Sequence, residues 1–152
     1  MTIEVKLKEA TKEDIPLIVR LLRSNGLPYE DIPSKICYLF IGYVGSRIIG
    51  IGGMEIYGNY GLLRSLVIEE SLRGKGYGFA LCNKLIEHGR LKGINEIHLL
   101  TTTADDFFKK IGFERIERNM APAVIQNTTE FKSLCPSSAV CMRMKMHDNC
   151  LM

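Results

Sequence analysis

The sequence predicts an α/β (α+β) fold in which a mixed central sheet of about six to seven strands is flanked by helices. Three patterns carry this prediction. Short runs alternate apolar and polar residues with the period of a strand, whereas other segments place apolar residues at helical spacing. In the first half, three strand-like runs follow one another through tight turns, as in an antiparallel meander. The second half alternates strands with helices, so the whole sheet is expected to be mixed.

The first half is predicted as a strand, a helix and the meander. Thr11 is suited to cap the helix, and Asn25 and Gly26 are suited to end it. Gly45 and Gly58 each begin a tight turn between strands. The predicted elements are a strand at 2–8, a helix at 12–24, a loop at 27–35, and strands at 36–44, 47–57 and 60–69.

The second half is predicted to begin with a glycine-rich loop and a helix that ends near residue 90. On this helix, apolar residues are spaced for burial at Phe79, Cys82, Leu85 and Ile86. The later predicted elements are a strand at 94–100, a helix at 103–110, a strand at 113–117, an irregular segment with helical turns at 119–136, and a strand at 137–146.

Length and composition are those of a globular protein, and we expect residues 1–152 to form one domain. Hydrophobic residues make up 46% of the chain and charged residues 24%, which excludes a disordered chain. Twenty basic and seventeen acidic residues give a net charge of +3, too small to indicate nucleic acid or a membrane surface as partner. Residues 1–4 match neither a signal peptide nor a transit peptide, so we expect a cytoplasmic protein.

The cysteines and histidines do not form a recognisable metal or disulfide pattern. Five cysteines is an odd number, and no pair has the Cys-x-x-Cys spacing, so we expect free thiols. The histidines are isolated from one another and from the cysteines, so no metal site is expected. These residues are Cys37, Cys82, Cys135, Cys141 and Cys150, with His88, His98 and His147.

The glycine-rich segment Arg73–Gly78 has the properties of an anion-binding loop. Glycines allow the backbone to approach a ligand closely, and the N–H groups of the following helical turn point toward negative charge. The segment matches neither the spacing of a P-loop nor that of a dinucleotide-binding loop. What remains is the pattern Arg-x-x-Gly-x-Gly, in which Arg73, Gly76 and Gly78 hold the fixed places.

Two motifs in this order make the chain resemble the GNAT family of N-acetyltransferases. The first is the Arg-x-x-Gly-x-Gly loop after the apolar strand Leu66-Val67-Ile68. The second runs from Ala104 to Phe113 and is similar to the family's Ala-x-x-Phe-Tyr-x-x-x-Gly-Phe. The resemblance covers nearly the whole chain and implies the fold of that family, with acetyl-CoA as the donor and no metal.

The resemblance also implies where acetyl-CoA binds. Backbone N–H groups of the loop would hold the pyrophosphate, and the pantetheine arm would run beside the preceding strand. An N–H near Val67 would polarise the thioester carbonyl. The expected cofactor-binding residues are Leu66, Val67, Ile68, Arg73, Gly74, Lys75, Gly76, Tyr77, Gly78, Thr103, Phe107 and Phe108.

At the family's usual general acid, a tyrosine, this chain has Phe108. Two explanations stay open. The leaving thiol, with a pKa of about 8.5, can depart as a thiolate without an acid. Alternatively, Tyr57, Tyr60 or Cys135 supplies the proton.

Glu55 and Arg64 are the candidates for handling the acceptor amine. Glu55 is a carboxylate in an otherwise apolar strand, where burial would suit it to act as a general base, directly or through water. Arg64 precedes the cofactor strand and could hold an acidic substrate. The alternative for both residues is a structural ion pair with each other.

The expected reaction is acetylation of the amine of a small molecule, such as an amino acid. Two alternatives are acetylation of a protein or peptide, and a CoA-binding sensor without catalysis. A homodimer is left open by the sequence.

The chain resembles the arsenic-resistance branch of the family through its tail, the run Leu134 to Met142, together with the segments Leu62–Leu66 and Thr101–Ala104. In that context we expect an arsenical to be an amine-bearing acetyl acceptor or only the genetic setting, not a ligand of three thiolates. Cys141 is expected in the core, and Cys135 is expected to line the acceptor pocket near Phe108.

Overall fold

The computed structural model describes residues 3–146, and its seven strands form one mixed sheet with the order β1-β2-β3-β4-β5-β7-β6. The pair β4 and β5 is parallel, and the pairs β1–β2, β2–β3, β5–β7 and β6–β7 are antiparallel. The predicted mixed sheet flanked by helices is therefore confirmed. The strands are β1 (Lys6–Glu9), β2 (Leu39–Val44), β3 (Arg47–Tyr57), β4 (Tyr60–Ile68), β5 (Glu96–Thr101), β6 (Glu114–Ile116) and β7 (Val140–Lys145).

Five α-helices and several single turns connect the strands within the described residues. The helices are α1 (Ile15–Ser24), α2 (Ile32–Lys35), α3 (Tyr77–Leu91), α4 (Asp105–Ile111) and α5 (Ala123–Gln126). Turns of 3-10 helix lie at Lys12–Asp14, Ile36–Tyr38, Glu70–Leu72 and Arg118–Met120, and a π-helical turn lies at Glu130–Leu134. None of the helices in the described residues is long and apolar enough to cross a membrane.

By its contacts the chain divides into two compact units. The first unit comprises the chain up to Glu55 together with Leu63–Glu87, and the second comprises Ile56–Leu62 and the chain from His88 onward. Strands β3 and β4 contribute residues to both units. The expectation of one domain over residues 1–152 stays a prediction.

In the first unit, α1 begins three residues later than predicted, because Lys12–Asp14 form a 3-10 turn that leads into it. Thr11 is the N-cap of that turn, and its N–H donates to the Asp14 carboxylate at 2.9 Å. Gly26, with φ of +67°, ends α1. The buried face packs into a core built from Ile18, Leu21, Leu22, Leu39, Ile41, Ile51 and Val67.

Helix α3 packs closely on the sheet of the first unit through a face that includes the predicted Cys82 and Leu85 but not Phe79. Leu81, Cys82 and Leu85 are buried, whereas Phe79 is 41% exposed. The prediction that Phe79 is buried is wrong because the buried face follows the 3.6-residue period through positions 81, 82 and 85, and position 79 lies off it. A Cβ at Gly52 would lie 2.4 Å from Leu85 Cδ1, so the Leu85 side chain of α3 packs directly over this glycine.

The predicted strand at 36–44 is three residues too long at its start. Ile36–Tyr38 form a 3-10 turn that continues the short helix α2, and the strand begins at Leu39. Pro33 lies in the first turn of α2, where proline favours helix. The predicted loop at 27–35 therefore contains a helical turn.

In the second unit, residues of β4, of β7 and of the long connection after β6 form a separate apolar cluster. The predicted irregular segment with helical turns at 119–136 is confirmed. Strand β7 begins later than predicted, because the Ala139 N–H donates to the Pro136 carbonyl in a turn. The cluster contains Leu62, Ala121, Ile125, Phe131 and Cys141.

Candidate functional site

The predicted anion-binding loop lies in the first unit, between the end of β4 and the start of α3. Residues Arg73 to Gly76 are exposed, and α3 begins at Tyr77. Gly74 and Gly76 have φ of +76° and +86°, a conformation that favours glycine. A helix start carries N–H groups without intrahelical partners, and here they follow directly on an exposed, basic loop. The loop thus has the geometry and charge to hold an anion such as pyrophosphate.

The side chain of Arg73 braces this loop. Its Nε donates to the carbonyl of Ile68 at 3.2 Å, and its Nη2 donates to Asn25 Oδ1 at 2.7 Å. The loop is therefore tied both to the end of β4 and to the turn that ends α1. Lys75, two residues further on, is exposed and adds a second positive charge to the loop.

The strand segment predicted to bind pantetheine, Leu66–Ile68, is fixed by close backbone packing within the first unit. Val67 is buried in the core, and Leu66 and Ile68 are half-buried. A Cβ at Gly50 of β3 would lie 2.2 Å from the Val67 carbonyl oxygen, closer than any side chain allows. The parallel ladder between β4 and β5 covers only Tyr60–Leu62, so the predicted segment lies beyond its last residue pair.

Ser65 lies within β4, immediately before that segment, and departs from regular strand geometry. Its φ is +61°, and among the described residues it is the one non-glycine residue with positive φ. Such a conformation is uncommon for serine and is found where the surroundings impose it, often at functional sites.

Glu55 and Arg64 come together in a buried ion cluster of the first unit, which confirms the ion-pair alternative that the sequence left open. Arg64 Nη1 donates to Glu55 Oε2 at 2.8 Å and to Asp31 Oδ2 at 2.6 Å, and Arg64 Nη2 donates to Asp31 Oδ1 at 2.7 Å. Lys35 Nζ lies 3.8 Å from Glu55 Oε1. We call Asp31, Lys35, Glu55 and Arg64 the Arg64 cluster.

Burial in this cluster changes what both predicted residues can do. The Arg64 side chain is fully buried and that of Glu55 is 1% exposed. Both oxygens of Glu55 face cations, an arrangement that disfavours the predicted role of this carboxylate as a general base. The guanidinium of Arg64 is engaged by two carboxylates of the protein, so it is not arranged to receive a carboxylate of a substrate.

Sequence reasoning missed Asp31 and Lys35. Both belong to the segment that was predicted as a loop, and Asp31 directly precedes α2. A signal was present in the sequence, since the guanidinium of a buried arginine needs partners for its remaining N–H donors besides one carboxylate oxygen. The spacing along the chain, however, does not show which acid folds over it.

The other predicted site residues lie in the second unit. Tyr57 and Tyr60 pack against its apolar cluster. Cys135 is half-buried after the π-helical turn, and its N–H donates to the Glu130 carbonyl at 3.0 Å. Thr103 is exposed just before α4.

Helix α4 carries the aromatic pair of the second motif. Phe108 is buried, and its ring meets those of Phe107 and Phe113 edge-on at centroid distances of 5.1 and 5.7 Å. Gly112, with φ of +126°, ends the helix and turns Phe113 back onto this aromatic cluster. The position of the family's usual acid is therefore filled by a core side chain.

The cysteines of the described residues form no disulfide, and two of their thiols are strongly held in the protonated form. Burial raises the pKa of Cys82 to about 12 and that of Cys141 to about 11. Cys141 lies in the core, as predicted. Residues 3–146 contain no group of three side chains that could hold a metal ion, and Cys150 and His147 lie outside the described residues.

Comparison with known proteins agrees with this fold and loop. A family model of the acetyltransferase (GNAT) family matches residues 9–113. An uncharacterised N-acetyltransferase of Chlorobaculum tepidum is 29% identical over 118 residues, which are 77% of this chain and 74% of that protein.

Two solved structures show the same fold at low identity. The N-acetylglutamate synthase of Neisseria gonorrhoeae, complexed with coenzyme A and N-acetyl-glutamate, has a TM-score of 0.81 at 19% identity, covering 97% of this chain but only 36% of the synthase chain. A Mycobacterium tuberculosis protein in complex with CoA and NLQ has a TM-score of 0.76 at 17% identity, covering 93% of this chain and 99% of that one.

The fold, the loop and the aromatic motif together define an acyltransferase that uses a CoA thioester. The chain belongs to the acetyltransferase (GNAT) family. It is an acetyl-CoA-dependent N-acetyltransferase of that family.

Proposed function

We propose that the protein transfers the acetyl group of acetyl-CoA to the amine of a small molecule by direct attack. The exposed loop Arg73–Gly76 at the start of α3 is the observation that carries this proposal. Its two glycines with positive φ and its basic charge fit a pyrophosphate held by backbone N–H groups. The pantetheine arm then lies beside Leu66–Ile68.

The chemistry needs few side chains. The amine nitrogen attacks the thioester carbonyl carbon, the carbon–sulfur bond breaks, and the amine gives up a proton to solvent. A backbone N–H near Val67 stabilises the negative charge on the carbonyl oxygen. Since Phe108 has no proton to give, the sulfur leaves as a thiolate, which its pKa of about 8.5 permits.

In this proposal the acceptor enters as a free amine. Glu55 balances the charge of Arg64 and does not take the proton, because its side chain is buried and both oxygens face cations. An amino acid stays the first acceptor to test, supported by the N-acetyl-glutamate in the Neisseria gonorrhoeae synthase. No cluster residue is assigned to its carboxylate.

An amine-bearing arsenical is the second acceptor to test, supported by the resemblance of the tail to the arsenic-resistance branch. Burial of Cys141 in the core speaks against a three-thiolate ligand set that includes it, because its sulfur is inaccessible to an arsenical without displacement of packed side chains. Titration with arsenite tests it. Tight one-to-one binding that is lost in Cys135→Ser and in Cys141→Ser would overturn this choice.

The loop is tested by calorimetric titration with CoA. We expect Gly76→Ala to weaken CoA binding about tenfold, because alanine in the left-handed region costs about 1–2 kcal/mol and distorts the loop. Gly58→Ala is the matched control. Gly58 also has positive φ (+63°), and an added Cβ there would meet no atom within 4 Å, but it lies in the β3–β4 turn. Absence of CoA binding by the natural protein would refute the proposal.

The acceptor class is tested by release of free thiol from acetyl-CoA with a panel of amino acids, amine-bearing arsenicals and peptides. Turnover with small amines supports the proposal. Turnover with peptides alone would make the protein a peptide acetyltransferase. CoA binding without turnover of any acceptor would make it a sensor.

A further inference from the structure

Ser65 holds a conformation that its own chemistry disfavours. Its φ of +61° lies in the left-handed region, where the Cβ of a non-glycine residue crowds the neighbouring carbonyl. A residue stays in such a conformation only when its surroundings over-determine it. The surroundings of Ser65 therefore must supply a specific restraint.

The restraint that the structure shows is a hydrogen bond from the preceding residue. Arg64 Nε donates to Ser65 Oγ at 3.0 Å. The guanidinium cannot rotate away, because Asp31 binds it through both carboxylate oxygens and Glu55 binds it through a third. The fully buried Arg64 side chain keeps water from replacing any of these partners.

The place of Ser65 in β4 gives the restraint a consequence. In a regular strand the N–H and C=O groups alternate between the two neighbours, and a left-handed residue rotates the adjoining peptides out of that alternation. Ser65 directly precedes Leu66–Ile68, and it follows the last β4–β5 residue pair at Leu62. The rotation therefore falls between the part of β4 that pairs with β5 and the segment assigned to pantetheine.

We propose that Arg64 is a positioning residue for acetyl transfer: through its hydrogen bond to Ser65 it holds the left-handed turn that directs the backbone of Leu66 and Val67 toward the acetyl-pantetheine. Arg64 does not touch the substrate in this role. The other members of the Arg64 cluster fix the guanidinium in the position from which Arg64 Nε donates to Ser65 Oγ. The inference rests on the proposed function, because it assumes that acetyl-CoA lies along Leu66–Ile68.

Two substitutions at Ser65 separate this role from a general structural one. Ser65→Ala removes the hydroxyl and keeps the steric penalty of positive φ, so the residue relaxes and acetyl-CoA binding weakens about tenfold, equivalent to about 1.4 kcal/mol. Ser65→Gly also removes the hydroxyl, but glycine adopts positive φ without a restraint. We therefore expect Ser65→Gly to bind acetyl-CoA within about threefold of the natural protein.

A double substitution adds a rescue test. Arg64→Lys should weaken acetyl-CoA binding as Ser65→Ala does. Adding Ser65→Gly to Arg64→Lys should restore most of the affinity, because glycine adopts a positive φ without the hydrogen bond. Ser46→Ala and Ser46→Gly, at an exposed serine in the β2–β3 turn, serve as controls and should leave binding unchanged. Calorimetry with acetyl-CoA gives the affinities, and thermal unfolding shows that each variant is folded.

Each result has a defined meaning. Weak binding by Ser65→Ala with near-normal binding by Ser65→Gly supports the inference, and it does so even if Arg64→Lys fails to fold. Equal affinities of the two Ser65 variants would overturn the inference and leave the proposed function intact. Failure of the natural protein to bind acetyl-CoA would overturn both.

Discussion

The positive charge of Arg64 lies in the interior of the first unit. Two carboxylates from different parts of the sequence stabilise it there. Glu55 lies nine residues away on the adjacent strand, whereas Asp31 lies thirty-three residues away before α2. A buried ion pair adds little net free energy over an apolar pair, but loss of one partner leaves a charge without compensation. The cluster is thus sensitive to removal of single members.

We expect Asp31→Ala to lower the free energy of unfolding by about 3–5 kcal/mol, because it removes two of the three carboxylate oxygens that bind the Arg64 guanidinium and leaves buried positive charge in excess. Glu69→Ala is the matched control. Glu69 faces Arg20 at 3.4 Å in a pair whose side chains are 27% and 60% exposed, so its loss should change the free energy by less than about 1 kcal/mol. Urea unfolding measures both, and equal losses would contradict the assigned importance of the buried cluster.

For these residues, the sequence predicted the contact between Glu55 and Arg64 but not the other members of the Arg64 cluster. The Glu55–Arg64 pair was foreseeable because both residues lie on neighbouring strands of one meander. Asp31 was not, because its position depends on how a proline-containing connection folds over the sheet. The positive φ of Ser65 was equally hidden, since serine gives no local signal for it.

At the scale of elements, β3 and β4 show how backbone packing controls the proposed cofactor strand. Gly50 of β3 faces the Val67 carbonyl so closely that only a hydrogen atom fits between them. Gly52, two residues on, lies under Leu85 of α3. The two glycines thus face different neighbours, a rigid backbone oxygen and the flexible end of a side chain.

We expect Gly50→Ala to shift Val67 and to weaken CoA binding about tenfold, in addition to a stability loss of about 1–3 kcal/mol. Gly52→Ala should lose a similar amount of stability but keep its affinity for CoA, because Leu85 can change its rotamer without moving β4. Urea unfolding and calorimetry with CoA separate the two effects. Normal CoA binding by folded Gly50→Ala would contradict the assignment of pantetheine to Leu66–Ile68.

Periodicity and turn residues were sufficient for most elements but not for their ends. Strand β3 has the predicted bounds, because glycine turns at Gly45 and Gly58 define both of them. The strands without such turns, β1 and β7, are shorter than predicted. The buried face of α3 was misjudged at Phe79 because a first-turn residue can be apolar without facing the sheet.

In the molecule as a whole, the fold class was predictable because strand and helix periods recur along the chain. The family was predictable because two motifs stand in a fixed order. The sheet order was less accessible, since strand β7 inserts between β5 and β6. No local sequence pattern predicts that β7 lies between them.

The pH dependence of global stability depends on a buried histidine of the second unit. His98 is fully buried, and neither ring nitrogen has a hydrogen-bond partner among the described residues, although Glu96 Oε1 lies 3.4 Å from Nε2. Arg143 is its partner across the β5–β7 ladder, and the Tyr60 ring lies edge-on at 6.5 Å. Burial lowers the pKa of His98 below its ordinary 6.5, against the attraction of Glu96 and with the repulsion of Arg143.

Because the pKa of His98 is lower in the folded than in the unfolded chain, the unfolded chain takes up a proton first as the pH falls. The contribution of His98 to stability is therefore complete above pH 6.5 and declines from there down to the folded pKa. We expect the free energy of unfolding in urea to fall between pH 6.5 and 5.5 by at most about 1.4 kcal/mol per pH unit from this group. His98→Gln should flatten this part of the profile, because it removes the buried imidazole. Parallel profiles for the natural protein and His98→Gln would contradict this prediction, because the fall in stability would then come from another group. Carboxylates ordinarily titrate at lower pH.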